Sequence, residues 1–169
     1  MDQILLVGSG GMARDYAKVL RSLGASFTVI GRGEASAAAF REVVGVDVLA
    51  GGLAHYLSHE TALPTIAIIA VGAEELAQTT SALLGRGVKR ILVEKPGGLD
   101  ADEIERVAAL ATGNSAKVFV AYNRRFYAAT IAARKIIAAD GGVSSFSFEF
   151  TEWSHVIEPL VKPPIVKER

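Results

Sequence analysis

Short aliphatic runs recur along the chain, spaced so that one helix fits between most neighbouring pairs. They lie at Ile4 to Val7, Phe27 to Ile30, Val46 to Leu49, Ile66 to Val71, Ile91 to Val93 and Val118 to Ala121. A run that is apolar at successive rather than alternate positions suits a parallel strand covered on both faces. Between most of these runs the apolar residues shift to helical spacing. Ala13, Tyr16, Ala17, Leu20 and Leu23 fall on one helix face, and Gly24 is placed to end that helix in the left-handed region. Ile104, Val107, Ala108 and Ala111 form a second face, introduced by Asp100 as N-cap with Glu103 three residues on, and followed by Gly113. Strands separated by helical crossovers imply an α/β chain with a doubly wound parallel sheet.

The chain has 169 residues, half of them hydrophobic, which is enough to bury a core. Lys plus Arg and Asp plus Glu number 18 each, so no basic field favours nucleic acid or an anionic membrane as partner. No cysteine is present, which excludes disulfides, thiolate metal sites and a cysteine nucleophile. The longest near-continuous apolar stretch, Thr65 to Ala73, is too short to span a bilayer, and Met1 to Gln3 carry no basic leader, so the expected compartment is the cytoplasm.

The stretch "LLVGSGGMARDYAKVL" places Gly8, Gly10 and Ala13 as G-x-G-x-x-A between the first strand and the first helix. The first glycine permits the tight turn, the second lets a pyrophosphate approach the backbone, and the small third residue lets helix and strand pack closely. The helix N-terminus then faces the phosphates. This is the turn of a Rossmann-type sheet, although a glycine-rich turn of this kind can also be purely structural. NAD sites usually carry an acidic residue at the end of the second strand for the ribose 2′-hydroxyl, whereas NADP sites carry a cation there. Here the strand ends in "VIGRGE": Arg32 is placed to grip a 2′-phosphate, and Glu34, two residues on, is the alternative partner for a ribose. The expected cofactor is therefore NADP in preference to NAD. A third signal, "VEKPGG" from Glu94 to Gly98, follows the fifth strand at the end of the sheet where ligands sit, so Lys95 is either a solvated turn residue or a group that meets the substrate.

With these features placed, the chain resembles the Gfo/Idh/MocA oxidoreductases, named for glucose-fructose oxidoreductase and inositol dehydrogenase. "VGSGGMA", "EKP" at Glu94 to Pro96 and "AYNRRF" at Ala121 to Phe126 carry the resemblance, which covers residues 1 to 155. It implies an N-terminal Rossmann domain followed by an α+β domain whose open sheet covers the active site. It implies NAD(P)-dependent oxidation or reduction of a hydroxyl-bearing carbon, mostly on sugars, sugar nucleotides and cyclitols. It also implies that Lys95 is catalytic, contacting the substrate hydroxyl near the nicotinamide, and that Tyr122 to Arg125 border cofactor and substrate. The expected cofactor-binding set is Gly8, Ser9, Gly10, Gly11, Met12, Ala13, Gly31, Arg32, Val71, Glu94, Lys95, Asn123 and Arg124.

The pattern changes after residue 122, so the expected domains are 1–122, the dinucleotide-binding part, and 123–169, a linker helix and the first strand of an incomplete α+β domain. A helix is expected from Phe126 to about Ala138, then a turn at "DGG", then a strand in "VSSFSFEF" with Phe146, Phe148 and Phe150 on one face. "FEFTEWSH" is similar to segments of family members that work in polysaccharide or surface-glycan biosynthesis. Family members run to about twice this length, and their second domain carries an Asp and a His that complete the catalytic group. The alternative reading is a dinucleotide-binding module without turnover. An unpaired strand bearing three phenylalanines implies self-association into a homo-oligomer. His55 and His59, four apart, have metal-like spacing but no carboxylate or third ligand beside them, so no metal is expected; His155 has the titration range of an acid or base.

Overall fold

The computed structural model describes residues 3–147 and residue 149. The chain divides into two compact units, with the break after Ala121. The first unit contains strands β1 (Ile4–Val7), β2 (Phe27–Ile30), β3 (Val48–Leu49), β4 (Ile66–Ile69), β5 (Arg90–Val93) and β6 (Lys117–Val120). All pair in parallel in the order β3-β2-β1-β4-β5-β6. Helices α1 (Gly11–Ser22), α2 (Glu34–Val44), α3 (Gly52–His59), α4 (Leu76–Gly85) and α5 (Ala101–Gly113) connect them. This is the Rossmann order, with the direction of winding reversing between β1 and β4.

The sheet is packed on both faces. Leu5, Val7, Ala67, Ile69, Ile91 and Val93 point to the face packed with α4 and α5 residues. Leu6, Val29, Ile68 and Ala70 point to the other, where Ala13, Ala17 and Leu20 of α1 and Phe40 of α2 cover them. The small residues Ala13 and Ala17, both fully buried, let α1 lie close to the sheet. Leu23 departs from the expected face: it follows the last helical residue and is 66% exposed, with Gly24 behind it in the left-handed region. α5 opens with the expected cap, the Asp100 carboxylate accepting from the Glu103 amide at 2.8 Å while the Glu103 carboxylate accepts from the Leu99 amide at 2.7 Å. Ile104 and Ala108 of its expected apolar face are exposed, and Val107 and Ala111 are the buried residues of α5. Thr80, fully buried, donates to the Leu76 carbonyl one turn back at 2.7 Å, and the Arg21 guanidinium caps the Val44 carbonyl at the end of α2, whereas the buried Nε of Arg14 has no partner among the described residues.

The second unit contains a short 3-10 turn, Asn123–Phe126, and α6 (Ala128–Ala139). The turn is tied to the helix by the Thr130 hydroxyl, which donates to the Arg124 carbonyl at 3.0 Å, and the Arg125 guanidinium lies 5.5 Å from the Phe126 ring centroid. The expected helix start at Phe126 is corrected to Ala128, since Phe126 belongs to the tighter turn. The "DGG" turn is present, with Gly141 and Gly142 at positive φ. Residues 143–147 form no strand, and Phe146 is 87% exposed. A strand needs a ladder partner, and among the described residues the sheet contains only the six strands above. Phe148, Phe150 and His155 lie outside the described residues.

The tightest point of the first unit is Gly8, whose φ is +122° and where a Cβ would lie 2.2 Å from the Ala70 carbonyl oxygen. Both the backbone and the space there exclude a side chain. Gly8→Ala is expected to destabilise the fold by about 3 kcal/mol, read as a fall in urea midpoint at unchanged m-value.

Candidate functional site

The four central strands end level with one another. Ile30 pairs with Val7, Val7 with Ile69, and Ile69 with Val93, so the segments beginning at Gly31, Gly8, Ala70 and Glu94 leave the sheet side by side. Backbone bonds extend the ladder one step further: the Gly8 amide donates to the Ile30 carbonyl at 2.8 Å, Ala70 to Val7 at 2.8 Å, and Glu94 to Ile69 at 2.9 Å. Above this rim lies a cleft of about 890 Å³. Its floor is the glycine turn, Gly8 to Met12, at the reversal point where open α/β sheets bind ligands.

The turn leaves the start of α1 without a side-chain cap. Gly10 is the N-cap of α1 and offers no side-chain acceptor to the first-turn amides, and that turn contains no acidic residue. The free amides and the positive end of the helix therefore point at the cleft unneutralised. Gly10, Gly11 and Met12 are exposed, and a Cβ at Gly10 would meet nothing within 4 Å. That open space is what a pyrophosphate lying against the backbone requires. Ser9 is buried under it, donating to the Ser36 hydroxyl at 2.8 Å, and Ser36 in turn donates to the Gly33 carbonyl at 2.9 Å. This relay ties the glycine turn to the loop after β2.

At the β2 end, Gly31, Arg32, Gly33, Ala35 and Ser36 line the cleft, together with Leu53, Ala54 and Leu57 of α3. From the β4 side come Val71, Gly72 and Glu75, then Gln78, Thr79 and Ala82 of α4. Arg32 forms an ion pair across the cleft with Glu75, which ends a short 3-10 turn, Ala73–Glu75. Glu34, the alternative ribose partner, is not among the lining residues; the carboxylate in the cleft is Glu75. Sequence reasoning missed Glu75 and Ser36, although "VGAEEL" directly follows the fourth aliphatic run, where a loop at the reversal point had to fall.

The other expected residues are placed as follows. Ala13 faces the sheet, not the cleft, and acts by close packing. Glu94 and Lys95 follow β5; Lys95 is exposed, its peptide bond to Pro96 is cis, and neither residue lines the cleft. Glu94 is held from α1: the Tyr16 hydroxyl donates to its carboxylate at 2.6 Å, and the second carboxylate oxygen accepts from the Lys95 amide at 3.3 Å. Asn123 and Arg124 belong to the 3-10 turn of the second unit. His55 and His59 lie ring to ring, centroids 4.4 Å apart, and the described residues hold no group of three or more His, Cys, Asp or Glu placed for a metal. No helix among the described residues is long and apolar enough to cross a membrane.

A parallel sheet of this order with an anion-ready glycine turn at its reversal point defines a dinucleotide-binding domain. Residues 3–122 match the family model described as "Oxidoreductase family, NAD-binding Rossmann fold", and the chain belongs to that Gfo/Idh/MocA family. Solved structures agree on the fold. The WlbA dehydrogenase from Bordetella pertussis, in complex with NADH and UDP-GlcNAcA, is 16% identical with a TM-score of 0.70, over 81% of this chain and 42% of that one. GenD2 from gentamicin A biosynthesis, in complex with NAD, is 21% identical with a TM-score of 0.71, over 85% and 40%. The apo scyllo-inositol dehydrogenase from Lactobacillus casei is 19% identical with a TM-score of 0.69, over 83% and 42%. The chain thus spans about two fifths of the length of these proteins. Among curated proteins none matches the sequence.

Burial and the hydrogen bond to Glu94 raise the Tyr16 phenol above its ordinary value, so the neutral donor form persists past the pH at which an unfolded tyrosine ionises. The sign follows: the stabilisation is complete below about pH 10 and declines as the pH rises beyond it. Tyr16→Phe is expected to cost about 1 kcal/mol at pH 7, and the gap between variant and wild type is expected to narrow in urea unfolding at higher pH.

Proposed function

We propose that this chain is the cofactor-binding part of an NAD(P)-dependent oxidoreductase that moves a hydride between nicotinamide and a hydroxyl-bearing or carbonyl carbon of a sugar or sugar nucleotide. The observation that carries the reading is the cleft over the glycine turn, with uncapped α1 amides on its floor and room for a phosphate at Gly10. The backbone amides at Gly10, Gly11 and Met12 would hold the pyrophosphate, with Gly8 and Ser9 shaping the turn beneath. Leu53, Ala54, Leu57 and Ala82 give an apolar wall suited to adenine, and Val71, which lines the cleft from the β4 side, would meet the nicotinamide. The bound cofactor supplies the hydride acceptor or donor. Lys95 donates a hydrogen bond to the oxygen on the reacting carbon, and Glu94, fixed by Tyr16, sets the loop that carries it. Asn123 and Arg124 join the proposal through the "AYNRRF" resemblance. The sugar-nucleotide and cyclitol dehydrogenases among the structural neighbours support the substrate class.

The second reading, a dinucleotide-binding module without turnover of its own, is favoured by one observation: neither Glu94 nor Lys95 lines the cleft. Dinucleotide binding is common to both, and a panel of sugars and sugar nucleotides with each cofactor separates them.

For the cofactor itself we favour NADP. Arg32 lines the cleft just beyond β2, and Gly31, the position where a carboxylate would meet a ribose 2′-hydroxyl, has no room for one: a Cβ there would lie 2.7 Å from the Ser9 hydroxyl oxygen and 2.8 Å from Val48 Cγ1. Calorimetric titration is expected to give tighter binding of NADPH than of NADH, and Arg32→Ala is expected to weaken NADPH by about tenfold, the loss of one charge-assisted contact. Equal affinities, or a preference for NADH that Arg32→Ala leaves untouched, would count against NADP.

A further inference from the structure

The Arg32–Glu75 pair has no evident structural duty. Its side chains are 79% and 37% exposed, and a pair so open to water contributes little to stability. Its position is the informative part. Arg32 comes from the loop after β2 and Glu75 from the turn after β4, on opposite sides of β1, so the pair reaches across the mouth of the cleft at the ribose end. Glu75 is fixed from below, its amide donating to the Gly72 carbonyl at 2.9 Å. Arg32 and Glu75 are the ionisable side chains that line the cleft.

We infer that Glu75 is a selectivity residue for the cofactor, a carboxylate that occupies Arg32 and sets the balance between a ribose 2′-phosphate and a 2′-hydroxyl. The inference rests on the dinucleotide reading given above. A 2′-phosphate carries close to two negative charges at neutral pH. To reach Arg32 it must take the guanidinium from Glu75 and then lie beside the carboxylate it has displaced. A 2′-hydroxyl meets neither obstacle and can donate to that carboxylate. Because the pair is exposed, exchange is easy and the preference is graded, with Glu75 restraining the NADP preference that Arg32 creates.

The experiment is calorimetric titration of NADPH and NADH against the wild-type chain, Glu75→Gln, Arg32→Ala and the double variant, with 2′,5′-ADP and 5′-AMP as probes of the ribose end alone. Glu75→Gln is expected to shift the NADPH:NADH affinity ratio about tenfold toward NADPH, with the same direction for 2′,5′-ADP over 5′-AMP. The shift is expected to shrink to about two- or threefold at high salt and in the Arg32→Ala background. Should Glu75→Gln fail to fold by circular dichroism, Glu75→Ser removes the same charge and is read in its place. An unchanged ratio in variants that bind both cofactors, or one that moves toward NADH, would overturn the inference while leaving the dinucleotide reading standing. A wild-type chain that binds no dinucleotide and no probe would instead remove the reading on which the inference rests.

Discussion

The approach of Gly8 to the Ala70 carbonyl is the contact on which the rest of the first unit depends. With a Cβ excluded at 2.2 Å, the chain can leave β1, turn beneath the end of β4 and enter α1 without opening the sheet. Because β1 and β4 stay adjacent there, the segments after β2, β1, β4 and β5 emerge in one row. The cleft exists because that row is level. Ala13 and Ala17, one and two turns into α1, extend the same close approach along the helix, which keeps the first-turn amides aimed over the turn rather than away from it.

Two side-chain links convert this scaffold into a site with defined ends. At the β2 end, the Ser9–Ser36–Gly33 relay locks the glycine turn to the loop after β2, and a Cβ at Gly31 would crowd the Ser9 hydroxyl and Val48. The charged groups at this end are instead Arg32 and Glu75, an ion pair open to solvent. At the other end, Tyr16 crosses from α1 to Glu94, so the helix that follows the glycine turn also fixes the loop bearing Lys95. One helix thus sets the relation between the glycine turn proposed to hold the pyrophosphate and the loop proposed to meet the substrate.

Much of this was legible in the sequence because doubly buried strands and tight turns are local properties. β1 and β2 fall where their aliphatic runs lie, and the other runs shift by one or two residues at their ends. Val46 to Leu49 shortens to Val48–Leu49 since β3 lies at the sheet edge among the described residues, where β2 offers Val29 and Ile30 to it. The strand expected around Phe146 shows the opposite limit: period-two alternation specifies a face, but a strand also needs a neighbour, which the pattern cannot supply. In the site, Gly8, Gly10 and Arg32 were readable from spacing along one βαβ unit. Glu75 was not, because its pairing with Arg32 joins loops 43 residues apart and depends on the level strand ends.

On the dinucleotide reading the glycine turn serves two separable purposes, with Gly8 closing the fold and Gly10 clearing space for a phosphate. Gly10 has φ −80° and ψ −169°, which any residue adopts, and nothing lies within 4 Å of where its Cβ would be. Gly10→Ala should therefore leave the protein intact, and any loss of binding must come from the ligand. The deciding measurement is calorimetric titration of Gly10→Ala with NADPH and NADH alongside thermal unfolding of the same variant. A melting temperature close to wild type with at least about tenfold weaker binding of both dinucleotides is the expected result. Undiminished binding by the folded variant would contradict the claim that the dinucleotide lies on this turn.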